Sequence, residues 1–324
     1  MAQQHKLPPA QFFEILRIRG SLPFMRYALP FISVSIVAVL ISLGALYWKG
    51  LNLGIDFTGG TVIEVDYPEA ADIDRIRKQL AEVGYPDAIV VNFGSAREVL
   101  IRMPIREGLS SAQLSEQVLA ALRATDPKVD LRRVEFVGPA VGAELLHDGS
   151  LALLFVTALI MAYLWLRFEW KFSVGAIAAT AHDVILILGL FALFQLHFDL
   201  TVLAAVLAVL GYSVNDTVVV FDRIRENFRK MRRGTTPEIV DASITATLPR
   251  TILLSFSTQL MVCAMLVLGG DVLFYFALAL TIGIVVGTYS SIFVASTVTM
   301  WLGLSREDFI RPEKKSEHPD GAQV

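Results

Sequence analysis

Four ionisable side chains in this sequence stand where an ionised group is costly. Asp183, with His182 beside it, lies inside the apolar run Phe172–Gln195; Asp216 lies inside Leu200–Phe221; Arg250 stands at the mouth of Thr251–Leu268. A charge at the centre of a bilayer costs between about 2.5 and more than 10 kcal/mol, so each such group is a functional hypothesis from the outset. The polar residues around them recur at helical intervals. Ser213 and Tyr212 stand three and four residues before Asp216, Thr180 three before Asp183, and Thr251, Ser255 and Gln259 form an i, i+4 stripe after Arg250. A bundle that gathers Asp183, Asp216 and Arg250 could bind and release a proton. An apolar setting favours the protonated carboxyl and a nearby guanidinium the ionised one, so movement of Arg250 relative to Asp216 would change proton affinity. Asn215 could orient the Asp216 carboxylate, and His182 reads as a packing or hydrogen-bonding group. The competing reading is that the aspartates only tie helices together and Arg250 snorkels to the headgroups.

The elements that must position these groups are six long apolar runs: Ala28–Trp48, Leu151–Leu166, Phe172–Gln195, Leu200–Phe221, Thr251–Leu268 and Val272–Leu302. Together they hold two carboxylates, Asp183 and Asp216, and no Lys or Arg, in a chain of 324 residues with 28 basic and 31 acidic side chains. Each run is near the ~20 residues that cross a bilayer. This excludes a soluble globule, a nucleic-acid-binding domain and a disulfide scaffold. The single cysteine, Cys263, lies in an apolar run and has no partner for a disulfide within the chain. The first run has 27 residues before it and ends in Leu46-Tyr47-Trp48-Lys49, which is no small-residue cleavage site, so it reads as a retained span.

Short loops set orientation. Lys6, Arg17, Arg19 and Arg26 precede the first span, Arg167 and Lys171 join the second and third, and Arg223, Arg225, Arg229, Lys230, Arg232 and Arg233 follow the fourth. The connections Leu196–Asp199 and Gly269–Asp271 carry no basic residue. This alternation puts residues 1–27, the basic loop 222–250 and the tail 303–324 in the cytoplasm and residues 49–150 outside. Beside a membrane the basic run reads as an anchor facing anionic lipid or a partner-facing surface rather than a nucleic-acid patch.

Residues 49–150 have a legible pattern: strand Thr61–Tyr67, helix Ala71–Val83, strands Ala88–Phe93 and Glu98–Met103, helix Leu109–Leu122 and strand Asp130–Val137. The order βαββαβ is ferredoxin-like. The expected fold is therefore a membrane all-α bundle of six transmembrane helices with an α+β extracytoplasmic domain between helices 1 and 2. That domain shows no nucleophile elbow, metal cluster or phosphate loop; Gly59-Gly60 precedes a strand, and His147 reads as solvated. No enzymatic activity, metal or cofactor is expected.

Several stretches resemble one family closely. Gly54-Ile55-Asp56-Phe57-Thr58-Gly59-Gly60-Thr61 resembles the opening motif of the SecD/SecF family of the bacterial Sec protein-export machinery, in the form found in its SecF members. Val137-Gly138-Pro139 with Gly142 and Glu144-Leu145, Ala181-His182-Asp183, and Gly211-Tyr212-Ser213-Val214-Asn215-Asp216-Thr217 running into Asp222-Arg223-Ile224-Arg225-Glu226-Asn227 extend the match. Thr247-Leu248-Pro249-Arg250-Thr251 and Gly287-Thr288-Tyr289-Ser290-Ser291 complete it over about residues 20–305. The resemblance implies a six-span half of the resistance-nodulation-division (RND) architecture in the inner membrane, with SecD as its counterpart. It also implies use of the proton-motive force on preproteins leaving the SecY/SecE/SecG channel, with YajC as a further neighbour. By position, Asp216 matches the family's proton-carrying aspartate, Arg250 its paired arginine, and Asp183 a recurrent polar site. A structural stabiliser of the translocon and an RND-type small-molecule exporter remain as alternatives.

Overall fold

The structure, a computed structural model, describes residues 20–93, 95–105, 109–231 and 233–309. Lys6, Glu14, Arg17, Arg19, Arg232 and the end of the tail from residue 310 lie outside the described residues. After a 3-10 turn at Met25–Tyr27, helix α1 (Ala28–Trp48) leads into strand β1 (Asn52–Leu53), the short helix α2 (Ile55–Thr58) and strand β2 (Gly60–Asp66). Then follow α3 (Ile73–Glu82), β3 (Ile89–Phe93), β4 (Ser95–Met103), α4 (Ser111–Thr125) and β5 (Asp130–Val137). The remaining elements are α5 (Pro139–Arg167), α6 (Trp170–Leu193), β6 (His197–Phe198), α7 (Leu200–Lys230), α8 (Thr236–Leu268), α9 (Gly270–Ser290) and, beyond a π-helical turn at Ser291–Ala295, α10 (Ser296–Trp301).

The α+β unit between α1 and α5 forms a four-stranded antiparallel sheet in the order β3-β4-β2-β5. Alternation along the strands assigns its faces. Ile63 and Val65 of β2 and Val99, Ile101 and Met103 of β4 pack against Ile76 and Leu80 of α3 and Leu114, Val118 and Leu122 of α4. Both helices start on strong caps: Asp72 accepts from the amides of Asp74 and Arg75, and Ser110 with Gln113 forms a capping box. The other face carries Glu64, Arg102, Arg133 and Glu135 toward the bundle. A second, two-stranded sheet pairs β1 with β6 in parallel, Asn52 opposite His197 and Leu53 opposite Phe198. It fastens the entry of the domain to the connection between α6 and α7.

Among the described residues, six helices are long and apolar enough to cross a membrane. Half of the apolar window of α6, of α7 and of α9 with its continuation is buried within the chain, against 11% for α5 and α8. The first three are the core of the bundle. Close approach depends on glycine: a Cβ on Gly189 of α6 would meet the Ser42 Cβ of α1 at 2.1 Å, and one on Gly283 of α9 would meet a Val209 methyl of α7 at 2.2 Å. Tyr47 and Trp48 stand exposed at one end of the bundle, and Trp165, Trp170 and Trp301 at the other, as interfacial aromatics do.

Three boundaries differ from the apolar runs. The second span is part of a helix that begins at Pro139, twelve residues before Leu151, because Gly138-Pro139 starts it and Gly142 packs under the α2 backbone. Within 222–250, residues 222–230 and 236–250 are helical, not loop. Helix α7 continues to Lys230 and α8 starts at Thr236, because Ile224 and Phe228 form an apolar face that packs into a core containing Ile239, Val240 and Ile244. Charge ended the hydrophobic runs without ending the helices. The sixth run is one α-helix only to Ser290, where the π turn interrupts it. At the end remote from the sheet, Lys171 pairs with Asp308 at 2.7 Å, and the Met25 amide donates to the buried Asp241 of α8 at 2.8 Å.

Candidate functional site

The two intramembrane aspartates are held by separate sets of donors. Asp183 on α6 is 1% exposed. Its Oδ2 accepts from Ser213 Oγ of α7 at 2.5 Å and Ser290 Oγ of α9 at 2.8 Å, while its Oδ1 lies 3.0 Å from His182 Nδ1. One carboxylate thus joins three helices. Water is replaced by hydroxyl and imidazole donors, which is what allows a carboxylate to sit this deep. His182 Nε2 is buried and has no hydrogen-bond partner among the described residues.

Asp216 on α7 is only partly buried. Thr251 Oγ1 of α8 donates to its Oδ1 at 2.6 Å and Ser291 Oγ to its Oδ2 at 2.7 Å. Ser290 and Ser291 are consecutive, so they project about 100° apart on a helix, and each reaches a different aspartate. The π turn begins at this point. Such bulges recur at functional sites because they re-aim side chains. Each serine also has a backbone carbonyl within reach, Gly287 O at 3.2 Å for Ser290 and Thr288 O at 3.1 Å for Ser291. A hydroxyl has one proton, so it donates either to the carboxylate or to its own helix.

The expected Asp216–Arg250 pair is not formed: among the described residues there is no ion pair between them, and the Arg250 side chain is exposed. Helix geometry supplies the reason. Arg250 and Thr251 are adjacent on α8 and project about 100° apart; Thr251 is turned in toward Asp216, and Arg250 lies on the exposed side. Asn215 is exposed on α7, and among the described residues Asp216 takes its side-chain hydrogen bonds from Thr251 and Ser291. Of the residues expected to act together, the fold brings Asp183, His182 and Ser213 into one cluster and leaves Asn215 and Arg250 on the open surface. Thr251, Ser290 and Ser291 are the ligands that spacing alone did not assign to particular aspartates.

The remainder of the α8 stripe also faces hydroxyls. Ser255 accepts from Tyr212 Oη at 2.9 Å and lies 2.8 Å from Thr288 Oγ1, and Gln259 Nε2 donates to Thr281 Oγ1 at 3.1 Å. A polar seam therefore runs between α7, α8 and α9 from Asp216 toward the sheet domain.

Beneath the sheet lies a polar cavity of about 270 Å3 lined by Asp56, Arg102, His197, Asp199 and Tyr275 among others. Burial, helped by the Arg102 charge and opposed by Asp199, pulls His197 down to about 4. Its Nδ1 is buried and has no hydrogen-bond partner among the described residues. The Asp56 carboxylate accepts from the Leu200 amide at 3.1 Å, and Asp199 caps α7 through the Val202 amide. His147, by contrast, is exposed beside Asp148.

Comparison with known proteins points one way. Residues 117–305 match the family described as protein export membrane protein SecD/SecF, C-terminal, and residues 49–67 match the SecD/SecF GG motif. The protein translocase subunit SecF of Vibrio alginolyticus is 47% identical over 306 residues, covering 94% of this chain and 97% of that protein. The SecF of Pseudomonas aeruginosa is 46% identical, covering 93% and 98%. Among solved structures, SecDF from Thermus thermophilus, titled a translocon-associated membrane protein, superposes with a TM-score of 0.80 at 38% identity over 87% of this chain. The present chain spans 38% of that longer one.

Proposed function

The chain belongs to the SecD/SecF family of protein-export membrane proteins, and from that premise we propose that it is a Sec translocase subunit that uses the proton-motive force, together with SecD, to promote late-stage translocation of preproteins. The observation that carries the proton reading is the pair of intramembrane aspartates, one buried and one partly buried, whose hydroxyl donors come from elements other than their own helices. A carboxylate accepts from these hydroxyls; a protonated carboxyl donates to one of them. Loading or losing a proton therefore forces Ser213, Ser290, Ser291 or Thr251 to change partner. Contacts between α6, α7, α8 and α9 become dependent on protonation state.

The partner reading rests on length and surface. The solved SecDF chain is more than twice as long as the stretch matched here, as a second six-span unit supplied by SecD would require. On α7, Ala204, Ala208, Gly211 and Asn215 form an exposed stripe of mostly small residues suited to close helix contact. Arg250 is exposed on α8; in our reading it meets the second unit rather than Asp216 of this chain. The SecY/SecE/SecG channel, YajC and the preprotein follow from the family resemblance. The strand order supports a ferredoxin-like outer domain, since β2 and β4 occupy the centre and β3 and β5 the edges. The loop charges support an inner-membrane topology with both termini cytoplasmic and the sheet domain periplasmic.

Asp216→Asn retains size and hydrogen bonding but cannot titrate. In vesicles containing the purified complex, this substitution should abolish the proton-gradient-dependent part of export while leaving the complex assembled. Undiminished gradient-dependent export would instead support a purely structural role.

A further inference from the structure

An apolar groove between α5 and the α6–α7 pair plays no part in the site described above. It encloses about 560 Å3 and is lined by Leu153, Thr157, Ile160, Met161, Ile177 and Val184 among others. All of these lie within membrane-spanning helices. Leu164 is the last of the α5 residues that line it, and Arg167 follows about one helical turn later on α5.

At that end two guanidinium groups converge on one ring: the Arg167 and Arg225 carbons lie 5.2 and 5.5 Å from the centre of Phe168. Neither charge is well neutralised. Arg167 has Asp222 at 3.8 Å, with both side chains about half exposed, a geometry that contributes little. Arg225 makes no ion pair among the described residues, and its buried Nε has no hydrogen-bond partner. Glu169 acts on it only at longer range, and Glu226 is engaged by Arg223 and Lys230.

We propose that this groove and its arginine pair form a binding site for an anionic phospholipid, with an acyl chain in the groove and the phosphate held by Arg167 and Arg225. The surroundings favour a lipid over a partner helix. A helix filling the groove would also have to bring a carboxylate to the arginines, whereas a phospholipid carries chain and anion in one molecule. Phosphate suits guanidinium, which offers paired N–H donors in one plane. The inference rests on the membrane embedding of α5, α6 and α7 and is independent of the proton reading.

Native mass spectrometry of the full chain in detergent, titrated with phosphatidylglycerol or phosphatidylcholine of identical acyl chains, tests it. Near a membrane each arginine contributes about a factor of five for anionic lipid, so the pair should favour phosphatidylglycerol by about thirtyfold. Arg167→Gln with Arg225→Gln should reduce that preference to near unity, and Arg167→Lys with Arg225→Lys should retain only part of it, since ammonium keeps the charge but not the paired donors. Ala181→Trp, which fills the groove, should weaken both lipids. Equal binding of the two lipids by the unaltered chain, or an unchanged preference in the glutamine variant, would overturn the arginine assignment; unaltered binding in Ala181→Trp would overturn the groove. Asp216→Asn should leave all of these ratios unchanged.

Discussion

Ser290 and Ser291 do opposite duties from adjacent positions, one serving Asp183 and the other Asp216. Removing either hydroxyl leaves a carboxylate with one donor fewer in an apolar setting, a loss of about 1–3 kcal/mol. Ser290→Ala should lower the thermal unfolding midpoint in detergent more than Ser291→Ala, because Asp183 is the more buried of the two acids. Thr251→Val should resemble Ser291→Ala, and the two together should cost more than their sum if they share the Asp216 load; simple additivity would mean the acid finds water instead. The positions of both aspartates are legible in the sequence, since an acid in an apolar run is conspicuous. Their ligands are not. Which of Arg250 and Thr251 faces inward depends on how far α8 is rotated, and rotation is fixed by contacts with α7 and α9 that no local pattern encodes.

The helices and strands of the outer domain follow their sequence periodicities closely, because each strand has one face on a core and one on a polar surface. Leu80 is fully buried between α3 and the sheet. Leu80→Ala should destabilise this domain by about 2–5 kcal/mol, measurable as earlier proteolysis of residues 60–137 with the bundle intact. Gly283→Leu should act in the bundle instead: its side chain would collide with Val209, force α9 away from α7 and reduce the yield of folded protein. Helix ends inside and outside the membrane were harder to read. The continuation of α7 to Lys230 is carried by Ile224 and Phe228, two residues hidden among four basic ones, and the early start of α5 depends on packing against Gly59 and Phe57, which are about eighty residues away in the chain.

The junction between the sheet domain and the bundle has its own pH dependence. His197 is held neutral in the folded state by burial and by Arg102, with a folded value of about 4 against an ordinary 6.5. The unfolded chain takes up the proton first, so the junction is at full strength above about pH 6.5 and weakens as pH falls toward 4. Asp56, Asp199, Glu64, Arg102 and Tyr275 share the cavity and set how far this proceeds. Amide exchange at Gly54, whose N–H donates to Phe198 O across the β1–β6 pair at 2.8 Å, should lose protection between pH 7 and pH 5 after correction for intrinsic rates. Unchanged protection would show that the pair is held by other contacts. Nothing local announces this junction, because Asn52-Leu53 and His197-Phe198 are too short to read as strands and lie about 145 residues apart in the chain.

Helix α5 runs without a break from Pro139, directly after the sheet, to Arg167 at the far end of the bundle. At 1.5 Å per residue its 29 residues make a rod about 44 Å long. It is also among the least embedded of the spans, with the groove along one flank. Pivoted at its Arg167 end, a 10° tilt of this rod would swing the attached sheet through about 8 Å. Because the β1–β6 pair and the close approach of Gly142 to Phe57 and Gly59 tie the same domain to the bundle, such a tilt would have to carry the α6–α7 connection with it.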